Sequence, residues 1–329
     1  MKWLKIWLVA PSLLIMGIAF NESILRKAAH QPSIVSDENL FCDVYSQVNK
    51  LSNNDVILLG ASRMQADFDL SVFYQHFPTK KAILLALSGR GTSYPVFKDI
   101  VKNTNFRGIV IIDETEHTLM EQKSYDQQSF IDYCHTSFSF NRQLNHRISA
   151  WLQSKLVFLN PQSSSLRLWG NLLTKNKLPV PFYSKTLFSR EQLLDYKRAD
   201  EKFLKELHDS RLNGIKSQVK PTFLTPDKWL NETKHWGNLV NKFRARGGRI
   251  IFVRMPLSEE IWKFESQITP PEKYWEVFTN KLNVKSLYFA DYPDLSNFEF
   301  PDTSHLDMRD KPVFTHLLLN HLQNELKTN

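Results

Sequence analysis

The chain has 329 residues, with 42 Lys and Arg against 34 Asp and Glu, a formal charge of +8. A 42% hydrophobic and 12% aromatic content supplies a core and excludes a disordered chain, while a mean hydropathy of -0.36 excludes a multi-spanning membrane protein. Two cysteines exclude a disulfide scaffold and a cysteine-based zinc cluster, and 10 glycines with 15 prolines exclude collagen-like or low-complexity architecture.

The chain opens MKWLKIWLVAPSLLIMGIAF, where Lys2 and Lys5 flank an uncharged run from Ile6 to Phe20. With Trp3 and Leu4 the apolar stretch is about 18 residues, close to the minimum that crosses a bilayer. Trp3 and Trp7 suit the membrane interface. Residues 1–22 therefore read as a membrane anchor or a signal peptide. In the first case the N-terminus stays inside; in the second, Gly17 and Ala19 supply the small residues at a cleavage site. Retention is the favoured expectation, and both put the main domain outside the cytoplasm. There Cys42 and Cys134 either pair or remain two buried thiols.

Residues 23–54 are polar and read as a stalk carrying a short helix, with Asn53 and Asn54 marking a turn. The main domain then spans 55–329. Short apolar runs without polar alternation recur at Val56 to Leu59, Ala82 to Leu87, Ile109 to Ile112, Ile250 to Val253 and, more weakly, Leu287 to Phe289. Such runs suit strands buried on both faces. Helical patterns cover 69–77, 93–104, Pro226 to Arg246 and about 311–326. The third of these has Thr225 as N-cap, Pro226 in its first turn and Gly247 past its end. The alternation predicts a three-layer α/β/α sandwich, flavodoxin-like, with a mostly parallel five-stranded sheet. Residues 117–225 interrupt it as a helical insertion, with helices near 140–157 and 189–212. Ser189 and Gln192 resemble a capping box for the second.

In an open parallel sheet, ligands bind outside the carboxyl ends of the strands. The residues just after each run are Gly60-Ala61-Ser62-Arg63, Ser88-Gly89-Arg90-Gly91-Thr92, Asp113-Glu114-Thr115-Glu116 and Arg254-Met255-Pro256. A further loop, Pro301 to Asp307, precedes the last helix. A serine hydroxyl needs a base within hydrogen-bond reach, and the base needs an orienting acid. Asp302 and His305 are three apart, so one turn can bring them to the same side, with Asp307 competing for the acid's place. The amide of Ser62 and that of a glycine after the second strand are suited to an oxyanion. Adjacent Asp113 and Glu114 would point to opposite faces of a strand, which disfavours a paired-carboxylate glycosidase. No second histidine cluster supports a metal site, and no cofactor is implied. Nucleic acid is disfavoured as a partner, since no recognition motif accompanies the charge.

Three segments, DVILLGASR, LALSGRGTS and PDTSHLD, resemble the blocks of SGNH (GDSL-like) hydrolases in order and in position at strand ends. RARGGRIIFVRMPLS and DYPDLSNFEFPDTSHLDMRD are also similar to membrane-anchored bacterial members. The resemblance covers 55–116 and 226–326, about half the chain. It implies Ser62 as nucleophile, His305 as general base, Asp302 as its partner, and Gly91 or Gly89 beside Ser62 as oxyanion donors. The family's third block supplies an Asn to the oxyanion hole; here that strand ends in Asp113-Glu114-Thr115. Arg63 and Arg254 are candidates to substitute for the Asn or to bind an anionic substrate, with ion pairing to Asp113, Glu114 or Asp291 as the alternative. The resemblance further implies an esterase or O-acyltransferase in the periplasm, held in the bacterial inner membrane by one helix. Its expected substrate is an acylated carbohydrate or other acyl ester, and its expected partners are proteins of a polysaccharide-modification system. A catalytically weakened, glycan-binding relative is the second expectation.

Overall fold

The computed structural model describes residues 2–122, 125–163, 165–175, 181–218 and 224–327. Its strands, in chain order, are β1 Val56–Leu59, β2 Ala82–Leu84, β3 Ile109–Asp113, β4 Ser184–Thr186, β5 Gln192–Leu194, β6 Arg249–Arg254 and β7 Lys285–Tyr288. The five apolar runs build one parallel sheet in the order β2-β1-β3-β6-β7. Counted within the sheet, this is the flavodoxin-like order 2-1-3-4-5. Every residue of β1 and β3 is buried, because helices cover both sides of these central strands. On one face Ser62–Asp67 and Leu70–His76 pack against Lys311–His321. On the other, Glu38–Tyr45, Tyr94–Asn103, Tyr125–Thr136 and Lys234–Ala245 pack together. The result is a three-layer α/β/α architecture.

The N-terminal helix runs from Lys2 to Lys27, beyond the expected anchor. Its stretch Ile6–Lys27 is long and apolar enough to cross a membrane, and almost none of it is covered by the rest of the chain. Its last turns dock on the insertion. Glu22 accepts from the Val157 and Phe158 amides at 2.9 and 3.1 Å, and Arg26 donates to the Lys155 carbonyl at 2.6 Å. Leu25 is buried against Val157 and Leu168.

Several expectations are corrected. Residues 38–48 are no stalk: Phe41, Cys42, Val44, Tyr45 and Val48 lie in the main core, and Cys42 forms a disulfide with Cys134 of the insertion. Residues 33–34 run along the β4 edge, through Ile34 N–H to Thr186 O at 3.1 Å and Thr186 N–H to Ser33 Oγ at 2.9 Å. The predicted helix over 189–212 begins only at Glu201. Before it, β4 and β5 form an antiparallel hairpin, whose turn contains Ser189 and left-handed Arg190 (φ 70°). Ser189 thus bonds Glu191 instead of capping a helix. The pattern from Pro226 to Arg246 divides at Thr233 into Pro226–Glu232 and Lys234–Ala245. The last one divides at Leu322.

Candidate active site

Gly60 carries the chain from β1 into the helix Ser62–Asp67. Its φ is +145°, and a Cβ there would lie 3.0 Å from both Cβ and O of Asp113. Only glycine makes this turn at so close an approach. Ser62 is consequently the first residue of a helix at the carboxyl edge of the sheet, half-buried. Its amide belongs to the first turn, whose N–H groups have no intrahelical acceptor.

The glycine loop runs alongside. Leu87 N–H donates to Gly60 O at 3.1 Å, and Gly89 and Gly91 are both left-handed, at φ 71° and 64°. Buried Gln65, one turn after Ser62, accepts from the Ser88 amide at 3.0 Å and donates to Arg190 O at 2.8 Å. Glu114 holds the far end of the loop, accepting from the Ser93 amide and hydroxyl, each at 2.6 Å, and from Thr92 Oγ1 at 3.2 Å. Burial pushes the Glu114 carboxyl up to about 7, against the Ser93 hydrogen bonds that favour its charge. Asp113 accepts from the Met255 amide at 3.2 Å, and its other oxygen lies 3.9 Å from Arg63 Nε. Both third-block acids are therefore engaged with neighbouring strands and loops.

Arg254 is not available to a substrate. Its side chain is fully buried and pairs with Glu116 at 3.2 Å and with Glu265. A guanidinium buried this deeply requires such partners; they are Glu116 and Glu265, not Asp113, Glu114 or Asp291. Arg63 is the more accessible of the two and stands on the helix that begins with Ser62.

Asp302 and His305 come together as their spacing suggests. Asp302 Oδ1 accepts from the Ser304 and His305 amides at 3.0 and 2.8 Å. Its Oδ2 lies 3.0 Å from His305 Nδ1. The same oxygen accepts from the Tyr196 hydroxyl and from Arg211 Nη1 at 2.7 Å. Burial would raise the Asp302 carboxyl, but His305, Arg211 and Tyr196 together hold it well below the usual carboxylate range. Burial, aided by Arg211 and Arg63, lowers His305 against the pull of Asp302. The carboxylate can only accept, so Nδ1 carries the ring proton and Nε2 is the basic nitrogen. Arg211 Nη1 also lies 2.5 Å from Nδ1; both are donors, drawn together by one acceptor. Nε2 is buried without a hydrogen-bond partner, so no hydrogen bond joins it to Ser62 Oγ.

Asp307 does not serve the ring: it takes the Tyr196 and Arg309 amides at 3.0 Å each. The loop is tied down elsewhere by Leu306 N–H to Asp67 Oδ1 at 3.0 Å and by Ser258 N–H to Thr303 O at 2.9 Å. Asp67 is fully buried, which pushes its carboxyl well up.

His305 faces a cleft of about 470 Å³ between the sheet edge and the insertion. Ser88, Asn160, Tyr183, Thr186 and Arg211 are among its lining residues; Ser62, Gly89 and Gly91 are not. Tyr196 and Arg211 escaped the sequence reading because they lie outside the motif blocks, among charges that suggested a solvated helix. Short apolar stretches on both sides of Ser189 were the available sign of the hairpin that delivers Tyr196. Among the described residues no group of three or more His, Cys, Asp or Glu is arranged to hold a metal ion. Compared with protein-family models and with curated proteins, the chain finds no match.

Proposed function

We propose that this protein is a serine-dependent esterase or O-acyltransferase of SGNH type, acting on acyl groups, acetyl above all, of an exported or cell-surface polysaccharide. The observation that carries the reading is the buried Asp302–His305 pair with its unpartnered Nε2, in a loop bonded through Leu306 to Asp67 of the helix that Ser62 begins. In the proposed reaction His305 Nε2 takes the Ser62 hydroxyl proton as Oγ attacks the acyl carbon. The amides of Ser62 and of Gly91 or Gly89 stabilise the oxyanion. His305 then passes its proton to the leaving sugar oxygen. Water or a second hydroxyl attacks the acyl-serine, gives its proton to Nε2, and frees Ser62 as that proton returns to Oγ. Arg63 is proposed to stand in for the missing Asn by placing positive charge near the oxyanion. The Cys42–Cys134 disulfide supports an oxidising compartment, and the uncovered apolar helix supports a single-pass anchor. Apart from Arg211 and His305, the polar lining is uncharged, and with Tyr183 and Phe182 it suits carbohydrate. Acetate release from O-acetylated polysaccharide by the full chain, lost in His305→Ala, tests the reading; equal release by both proteins would contradict it.

A second reading is a weakened relative that binds glycan or scaffolds a surface-polymer assembly. It is favoured by the absence of Ser62 from the cleft lining. Under it, glycan binding survives Ser62→Ala and no acetate is released.

A further inference from the structure

We infer that the insertion is a membrane-interface module, whose helix Phe140–Lys155 lies against an anionic bilayer surface. Phe140, Leu144, Ile148 and Trp151 are each at least half exposed. Their spacing puts them on one side of the helix. The opposite side is spent on the fold: His146 is buried, Ala150 packs with Ile34 and Leu40, and Gln153 accepts from the Val35 amide at 3.1 Å, while Gln143 and Arg147 bond Asp43 on the flank between. Trp169 and Leu173, on the helix Ser165–Lys175, are exposed as well. Both helices adjoin the base of the apolar N-terminal helix. Arg26 holds the Lys155 carbonyl at 2.6 Å, and Leu25 packs with Leu168. A stripe of this kind beside a membrane-length helix is therefore within reach of the same lipid. Charge points to the lipid type. Residues 133–190 contain eight Lys and Arg and no Asp or Glu, which equals the net charge of the whole chain. Arg147 pairs with Asp43 and Arg190 is buried, but the segment keeps a basic excess, and an apolar face with tryptophan in a basic segment is the composition of an interfacial helix on anionic lipid. Asn160, Pro161 and Phe182, from the same basic segment, line the cleft around His305, so interfacial seating would hold the cleft close to the head-group layer. The inference does not depend on the proposed acyl chemistry.

The test uses the full chain in vesicles of phosphatidylglycerol and phosphatidylcholine in equal parts. Both native cysteines are in the disulfide, so a polarity-sensitive thiol probe can be placed at Ile148→Cys, at Leu173→Cys, or at the exposed control Lys281→Cys. Probes at 148 and 173 are expected to shift to the blue, to be quenched by shallow spin-labelled lipid, and to resist aqueous iodide about threefold or more better than the control. Iodide quenching at 148 and 173 equal to that at 281 would overturn the inference. So would protection that appears in detergent and grows with protein concentration, since the stripe would then bind a second copy of the chain.

Discussion

Arg211, on a helix of the insertion, lies 2.7 Å from the carboxylate of Asp302, in the loop before the last helix. The insertion therefore completes the electrostatics around His305. Arg211 steadies the charge on Asp302 and disfavours a second proton on the ring. Arg211→Gln removes a positive charge near the ring, so protonated His305 becomes easier to form. If Ser62 is activated by His305, the acid limb of its acylation rate lies below the ordinary imidazole value in the wild type. In the variant it moves up toward that value. Rate against pH, measured by covalent labelling, checks both statements.

Glu114 gives a stability signature. Its folded value near 7 exceeds the unfolded 4.5. The folded state therefore holds the proton more tightly, and the stability this contributes is full below about 4.5 and is lost as pH rises through 7. Glu114→Gln has no such loss. Relative to wild type, its unfolding free energy should improve by up to about 3 kcal/mol between pH 5 and 8. Denaturant titrations at several pH values measure the difference directly, which removes the opposite contribution of His305. That ring, lowered in the fold, gives stability that is full above its unfolded value and is lost as pH falls below it.

Gly60→Ala introduces a Cβ at φ +145° and 3.0 Å from Asp113. It should cost about 1–3 kcal/mol of stability through backbone strain alone. Chemical denaturation reads the cost. Gly89→Ala also meets a left-handed backbone, but with no atom within 4 Å, so its cost should be smaller.

Reducing the Cys42–Cys134 bond, which closes a sequence separation of 92 residues, or replacing both cysteines by serine, should cost about 2–5 kcal/mol. A lower denaturant midpoint with an intact far-ultraviolet spectrum is the expected result. An unchanged midpoint would mean that the two helices it joins are held by packing alone.

Four strands of the parallel sheet were legible because they are short apolar runs ended by Gly60, Gly89, Asp113 or Arg254; the fifth, Lys285–Tyr288, opens with two exposed polar residues and reads more weakly. The Asp302–His305 pair was legible because its members are three residues apart. What could not be read depended on contacts far apart in the chain. Phe41 and Tyr45 occupy a polar-looking segment, yet they reach the core. Arg254 resembled other arginines at strand ends, and only the fold reveals Glu116 and Glu265 beside it. Tyr196 and Arg211 meet Asp302 across sequence separations of 106 and 91 residues, a pairing that no local pattern encodes. The split at Thr233 is a local interruption in one helical periodicity, and the apolar spacing continues through it.

The most direct test of the proposed acyl chemistry is fluorophosphonate labelling of the full-length protein, with the modified peptide identified by mass spectrometry. A single adduct is expected on Ser62, abolished in Ser62→Ala, strongly slowed in His305→Ala, and retained in Ser88→Ala, whose serine lines the same cleft as His305. Labelling of wild type no greater than that of Ser62→Ala, or an adduct on Ser88 instead, would contradict it.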